Sequence, residues 1–172
     1  MSAETHGDGI LVVPTGTPVL TPADLPAGSR VAVVCSRYHS NVMQKLLDGA
    51  LAAATARGVA CDVIPSEGAF ELPMLARAAA QTGRYVAVAV LGCVIRGETS
   101  HYDYVCSEAA RGTLLTGLET GIPVAFGVIT TENAQQAFDR AGGVAGHKGA
   151  EAVETALTTA ATLARIRASS RS

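Results

Sequence analysis

The chain has 172 residues, with thirteen Lys and Arg against fifteen Asp and Glu, a net charge of −2. That length fits one domain or at most two small ones, and should bury ~70% of the surface the unfolded chain exposes, so a core can form without staples. The charge is too weak and too mixed for a general nucleic-acid or membrane-surface binder. Three Phe, four Tyr and no Trp, beside much Ala, Val and Gly, suit tightly packed helices on a parallel sheet better than an aromatic-rich sandwich.

The cysteines Cys35, Cys61, Cys93 and Cys106 show no C-x-x-C spacing and no clustered His. The expectation is therefore no metal site, no disulfide framework, and reduced thiols in a cytoplasmic protein. Met1 to Gly9 carries acidic residues and no apolar run, which does not read as a signal peptide. Gly92 and Arg96 break and end the best apolar stretch, well short of the ~18–20 residues of a membrane span.

Residues 1–29 are rich in Gly, Pro, Thr and Ser, around the short apolar run Ile10 to Val13. Two readings stand: a flexible tail, or an edge strand added to this sheet or a neighbour's. From Arg30 the chain alternates, and residues 30–172 read as one domain. Val31 to Cys35 predicts a buried strand, and Asn41 to Arg57 a helix with Val42, Leu46, Leu47, Ala50, Leu51 and Ala54 at helical spacing. Val59 to Ile64 predicts a second strand stopped by Pro65. Leu72 to Gln81 predicts a helix with Pro73 in its first turn. Tyr85 to Ile95 is a third strand, Tyr102 to Thr120 a third helix, and Ile122 to Ile129 a fourth strand. Thr131 is expected to cap a short helix ending at Gly142-Gly143, before an Ala-rich helix over Gly149 to Ala168.

Strands apolar on both faces, separated by helices, imply βαβ units: a three-layer α/β/α sandwich around a four-stranded parallel sheet. Ligands in such sheets bind beyond the carboxyl ends of the strands. That rule selects the loops 36–40, 65–71, 96–101 and 130–133.

The loop Arg96-Gly97-Glu98-Thr99-Ser100-His101 leaves a buried strand and opens a helix, offering hydroxyls and free amides to an anion. The same composition also serves plain helix capping. His101 stands in the first turn of that helix, where a proton-transfer role competes with a structural one. Glu67 to Pro73 places Phe70 and Glu71 on the second strand's exit: a stacking face with a polar anchor, or a helix cap. Tyr38 after the first strand is a second candidate for stacking on a planar ligand. Arg140 precedes a Gly-rich segment ending in His147-Lys148, which suits a phosphate or ordinary compensation of the helix dipole. No G-x-x-x-x-G-K-[ST] or G-x-G-x-x-G pattern is present.

Four blocks carry a resemblance: Gly68-Ala69-Phe70-Glu71-Leu72-Pro73, the run from Leu91 through Arg96-Gly97-Glu98-Thr99-Ser100-His101-Tyr102-Asp103-Tyr104-Val105, Phe126-Gly127-Val128-Ile129-Thr130-Thr131-Glu132-Asn133, and Arg140 through Lys148-Gly149. In order and spacing the chain resembles the 6,7-dimethyl-8-ribityllumazine synthase family from about residue 30 to 165. The resemblance implies a flavodoxin-like fold and the penultimate step of riboflavin synthesis, a transferase reaction. There a ribitylaminouracil condenses with 3,4-dihydroxy-2-butanone 4-phosphate, with loss of phosphate and water.

By that resemblance Tyr38 and Phe70 line the pyrimidine pocket, with Ala69 and Glu71 beside the ribityl chain. The backbone of Cys93, Val94 and Ile95 contacts the ring. Gly97, Glu98 and Thr99 form the phosphate turn, Arg140 pairs with the phosphate, and His101 moves protons. Phe126, Arg140 and Lys148 come from the adjacent subunit, so the pocket exists only in a homo-oligomer. A ring of five is the minimum, and the short, Gly-rich segment from Gly142 to Lys148 favours a sixty-subunit icosahedral shell of pentamers. Riboflavin synthase is the implied protein partner, and no metal or cofactor is required. Tyr38 stands where Phe or Trp is common in the family, His39 and His147 where Asn is frequent, and Glu98 where a small residue is. Two rivals remain: the related riboflavin synthase of the same fold, against which the phosphate turn and Arg140 argue, and a non-catalytic lumazine- or flavin-binding shell protein.

Overall fold

A computed structural model describes residues 12–170. Four parallel strands form the central sheet: β1 (Arg30–Ser36), β2 (Ala60–Ser66), β3 (Ala87–Ile95) and β4 (Val124–Thr131), in the order β2-β1-β3-β4. Their crossovers carry α1 (Ser40–Ala56), α2 (Leu72–Gln81) and α3 (His101–Thr120), and α4 (Ala134–Arg140) and α5 (Lys148–Ser169) follow β4. The strand order and the flanking helices agree with the expected flavodoxin-like three-layer sandwich.

Two-residue periodicity in the strands sorts the core into two halves. Val31, Val33, Ala87, Ala89 and Leu91 pack with Leu46 and Ala50 of α1 and Val153 and Leu157 of α5. The alternate residues Ala32, Val34, Val88 and Val90 pack with Leu72 and Ala76 of α2 and Val105 of α3. Because both faces are covered, β1 and β3 are buried along most of their length, which is why they read as continuous apolar runs. Helix α5 approaches α1 so closely that Gly149 lies against the backbone of Leu46, a crossing that only a residue without a side chain permits.

Several boundaries differ from the sequence expectation. Strand β2 does not stop at Pro65 but runs through it to Ser66, with Pro65 opposite Cys35. It is an edge strand, where a missing N–H on the outer side removes no ladder bond. Strand β4 ends at Thr131 rather than Ile129, so Thr131 does not cap the next helix. Asn133, held extended at φ −154°, does so: its side chain accepts from the Gln136 amide at 3.0 Å. Helix α4 stops at Arg140, short of Gly142-Gly143. The glycine segment instead forms an antiparallel ribbon of β5 (Ala141–Gly143) and β6 (Gly146–His147), and His147 Nδ1 accepts from the Ala150 amide to cap α5 at 3.4 Å.

Of the apolar run Ile10 to Val13, residues 10 and 11 lie outside the described residues, and Val12 and Val13 are in no strand. Nearer the sheet, the Ala23 amide donates to the Ala161 carbonyl at 3.2 Å and Leu25 packs against the α1–α5 half of the core. Among the described residues no helix is long and apolar enough to cross a membrane.

Candidate active site

The strand order reverses between β1 and β3: the chain moves outward from β1 to β2, then crosses back to β3 and on to β4. The exit loops therefore diverge at this switch point and leave a crevice. A cleft of about 600 Å³ opens there, walled by Tyr38 and His39 after β1, Glu67 to Glu71 after β2, Cys93 to Ile95 at the end of β3, and His101 and Val105 of α3.

Tyr38 and Phe70 stand at the cleft with more than half of each residue exposed, 68% and 55%. Exposed aromatics are costly in water and suit a planar ligand laid between or beside them. His39 sets the angle of the first wall. It is the one non-glycine residue at positive φ among those described (φ 58°), a left-handed conformation that His and Asn tolerate better than most side chains. The Arg37 guanidinium and Glu67 carboxylate, 2.9 Å apart, tie the β1 and β2 exit loops together at the surface.

Glu71 precedes α2 but makes no side-chain cap bond, so the capping alternative does not describe it. Its carboxylate turns back over Gly68 instead. A Cβ on residue 68 would stand 2.9 Å from Glu71 Oε2 and 4.0 Å from the Tyr38 ring, so glycine there allows an acid and an aromatic to share one side of the cleft. Ala69 is buried beneath them.

Cys93, Val94 and Ile95 end β3, with Cys93 buried and the other two half-buried. Burial pushes the Cys93 thiol up to about 11, so it is neutral near pH 7 and unsuited to nucleophilic attack. The four cysteines are all free, and among the described residues no group of three or more His, Cys, Asp or Glu is arranged to hold a metal ion.

Gly97, Glu98 and Thr99 lie exposed in the loop between β3 and α3. The Ser100 side chain makes no cap bond to the twenty-residue helix it precedes, and the Asp103 amide donates to the Ser100 carbonyl at 3.0 Å instead. Thr99 Oγ1 accepts from the His101 amide at 3.4 Å. His101 is exposed and faces the cleft from the first position of the helix.

Eight expected residues thus gather in one cleft: Tyr38, Ala69, Phe70, Glu71, Cys93, Val94, Ile95 and His101. Phe126 and Lys148 line a separate hollow of about 150 Å³ beside β4 and α5, where Lys148 pairs with Glu151 at 2.6 Å. Arg140 ends α4, with Nη1 donating to the Gln136 carbonyl at 3.1 Å. A single chain does not bring these three to the cleft that holds His101. Val105 escaped the sequence reading although its position four residues beyond His101, on the same helix face, could have flagged it. Arg96 opens the expected anion loop, but the sequence reading gives it no role of its own. It is held by Asp103, Glu132 and the Tyr102 ring, and the sequence does not announce that they converge on it.

The profile of the family described as 6,7-dimethyl-8-ribityllumazine synthase matches residues 28–164. A 6,7-dimethyl-8-ribityllumazine synthase from Chlorobium luteolum is 48% identical over 132 residues, covering 75% of this chain and 85% of that protein. The profile match takes in all four exit loops and the strands that carry them, and the chain belongs to the 6,7-dimethyl-8-ribityllumazine synthase family of riboflavin biosynthesis.

Proposed function

We propose that the protein condenses 5-amino-6-(D-ribitylamino)uracil with 3,4-dihydroxy-2-butanone 4-phosphate to form 6,7-dimethyl-8-ribityllumazine, releasing phosphate and water. The observation that carries this reading is the meeting of Tyr38, Phe70, Glu71 and His101 around one cleft at the switch point of the sheet. The aromatic pair suits the uracil ring, and the Glu71 carboxylate accepts hydrogen bonds from a polyol chain. The end of β3 offers its backbone to the ring edge.

The uracil's free amine attacks the butanone carbonyl and loses water to give an imine. Loss of the C3 proton expels phosphate from C4, and the resulting enol ketonises at C3. The ribityl-bearing nitrogen attacks that carbonyl to close the second ring with loss of water. His101 moves protons between these steps, an effect worth ~10²–10⁴ in rate. Holding both reactants in register supplies much of the remainder. The Gly97–Thr99 turn and the first amides of α3 receive the phosphate, with Arg140 as its charged partner.

Arg140, Phe126 and Lys148 stand apart from the cleft of their own chain, which supports a homo-oligomer in which each subunit completes its neighbour's site. Leu114 and Leu118 of α3, 63% and 71% exposed, are apolar surface that a subunit contact would cover. We read the assembly as a cytoplasmic ring of five, closing into a sixty-subunit shell through the short 142–148 connection. Mixing the protein with both substrates tests the chemistry: a lumazine absorbance should grow in, and a binder without catalysis gives none. Analytical ultracentrifugation in phosphate near neutral pH tests the assembly, where a species of five subunits that persists at high concentration rules out the shell.

A further inference from the structure

We propose that Arg96 is a positioning residue for His101, acting through the first turn of α3; this rests on the reading of His101 as the proton-transfer group. Arg96 leaves β3 immediately after its last residue, and its amide donates to the Thr131 carbonyl at 2.9 Å, tying the loop to the end of β4. Its guanidinium then reaches three partners. Nε lies 2.9 Å from a Glu132 carboxylate oxygen, Nη1 lies 3.1 Å from Asp103 Oδ1, and the group sits 3.9 Å over the Tyr102 ring.

Tyr102 and Asp103 are the two residues that follow His101. One guanidinium therefore holds the turn that carries the imidazole, and anchors it to the end of a core strand. His101 needs such an anchor. It is exposed, and its own amide has only the 3.4 Å bond to Thr99 Oγ1, while the helix it opens lacks a side-chain cap at Ser100. The placement of its ring is inherited from the backbone of that turn.

An isolated surface ion pair would be too weak for this task. Here a planar fork bridges two carboxylates on different elements and stacks on a ring, a geometry the ammonium of Lys cannot reproduce. With two carboxylates already beside it, Arg96 is balanced by the protein and is not among the residues lining the cleft. A displacement of about 1 Å at a reacting group can cost ~100-fold in rate, so a clamp that does not itself line the cleft still affects turnover.

The test compares wild-type protein with Arg96→Gln and Arg96→Lys, each also in a His101→Ala background, with both substrates varied. Arg96→Gln should lower kcat roughly 10-fold or more with little change in either KM, and Arg96→Lys should recover only part of the loss. In the His101→Ala background the same change should cost little further, because its effect runs through the missing imidazole. An unchanged kcat, an equal loss with and without His101, or a loss confined to the KM of the butanone phosphate would each overturn the proposal. Should Arg96→Gln fail to fold, Asp103→Asn cuts the α3 arm of the clamp alone, and an unchanged kcat there is equally fatal. Hydrogen exchange gives a readout free of turnover: amides of residues 99–104 should exchange faster in Arg96→Gln while α5 keeps its protection. Unchanged exchange sinks the clamp, whereas a wild-type protein that makes no lumazine sinks the functional reading instead.

Discussion

The carbonyl of Leu46 in the middle of α1 lies directly against the Cα of Gly149 at the start of α5. The contact is backbone on backbone, so neither side can yield by rotating a side chain. Gly149→Ala should therefore push α5 off α1 and lower stability by about 1–3 kcal/mol or more, the usual range for overpacking a closed contact. Urea unfolding followed by circular dichroism would show it as a lower midpoint. A midpoint within error of wild type would mean the two helices can slide apart freely.

His101→Ala should lower kcat by one to two decades at saturating substrate, with KM little affected. In the proposed mechanism the residue moves protons, and the cleft walls formed by Tyr38, Phe70 and Glu71 stay in place. Steady-state kinetics with each substrate varied in turn separates the two parameters. A collapse in KM at constant kcat would make the imidazole a binding group.

Arg140→Ala should weaken the butanone phosphate far more than the uracil, by the ~1.5–3 kcal/mol of a charge-assisted bond, roughly 10- to 150-fold. Since Arg140 lies outside the cleft of its own chain, the defect should also complement. Co-assembling Arg140→Ala with His101→Ala subunits should regain activity, because some sites then draw both groups from intact chains. Mixed assemblies no better than the average of the two variants would place Arg140 and His101 in one subunit's site.

At the opposite end of the sheet, Asp62 gathers Arg30, Tyr85 and Arg84. The Arg30 hydrogen bond, and after it that of Tyr85, hold its carboxyl below the usual carboxylate range. A depressed acid contributes stability above its unfolded value and loses it as the pH falls through its folded one. The wild-type melting temperature should therefore drop as the pH goes below about 4. Asp62→Asn should melt lower than wild type at pH 7 and show a shallower drop below pH 4. Parallel slopes for the two proteins would remove Asp62 from the acid response.

Much of the architecture is local in origin. Val31 to Cys35 and Tyr85 to Ile95 announce buried strands because burial on both faces leaves no polar alternation to confuse the pattern. The loop from Arg96 to His101 is equally local in origin, with glycine and hydroxyl residues in consecutive positions where a strand gives way to a helix. Pairings across the chain were not readable in this way. Tyr38 and Phe70 lie on loops joined by no local signal, and they meet because β1 and β2 run parallel with Ser36 opposite Ser66. Asn133 rather than Thr131 caps α4 because the ladder with β3 carries β4 two residues further, to Ile95 opposite Thr131. Arg96 becomes a clamp only once α3 and the end of β4 stand on either side of it. Residue types and short spacings determined the elements and the chemistry on offer. Strand register and helix packing decided which of those groups share a cleft, because side chains act over a few ångströms and only the folded sheet sets distances on that scale.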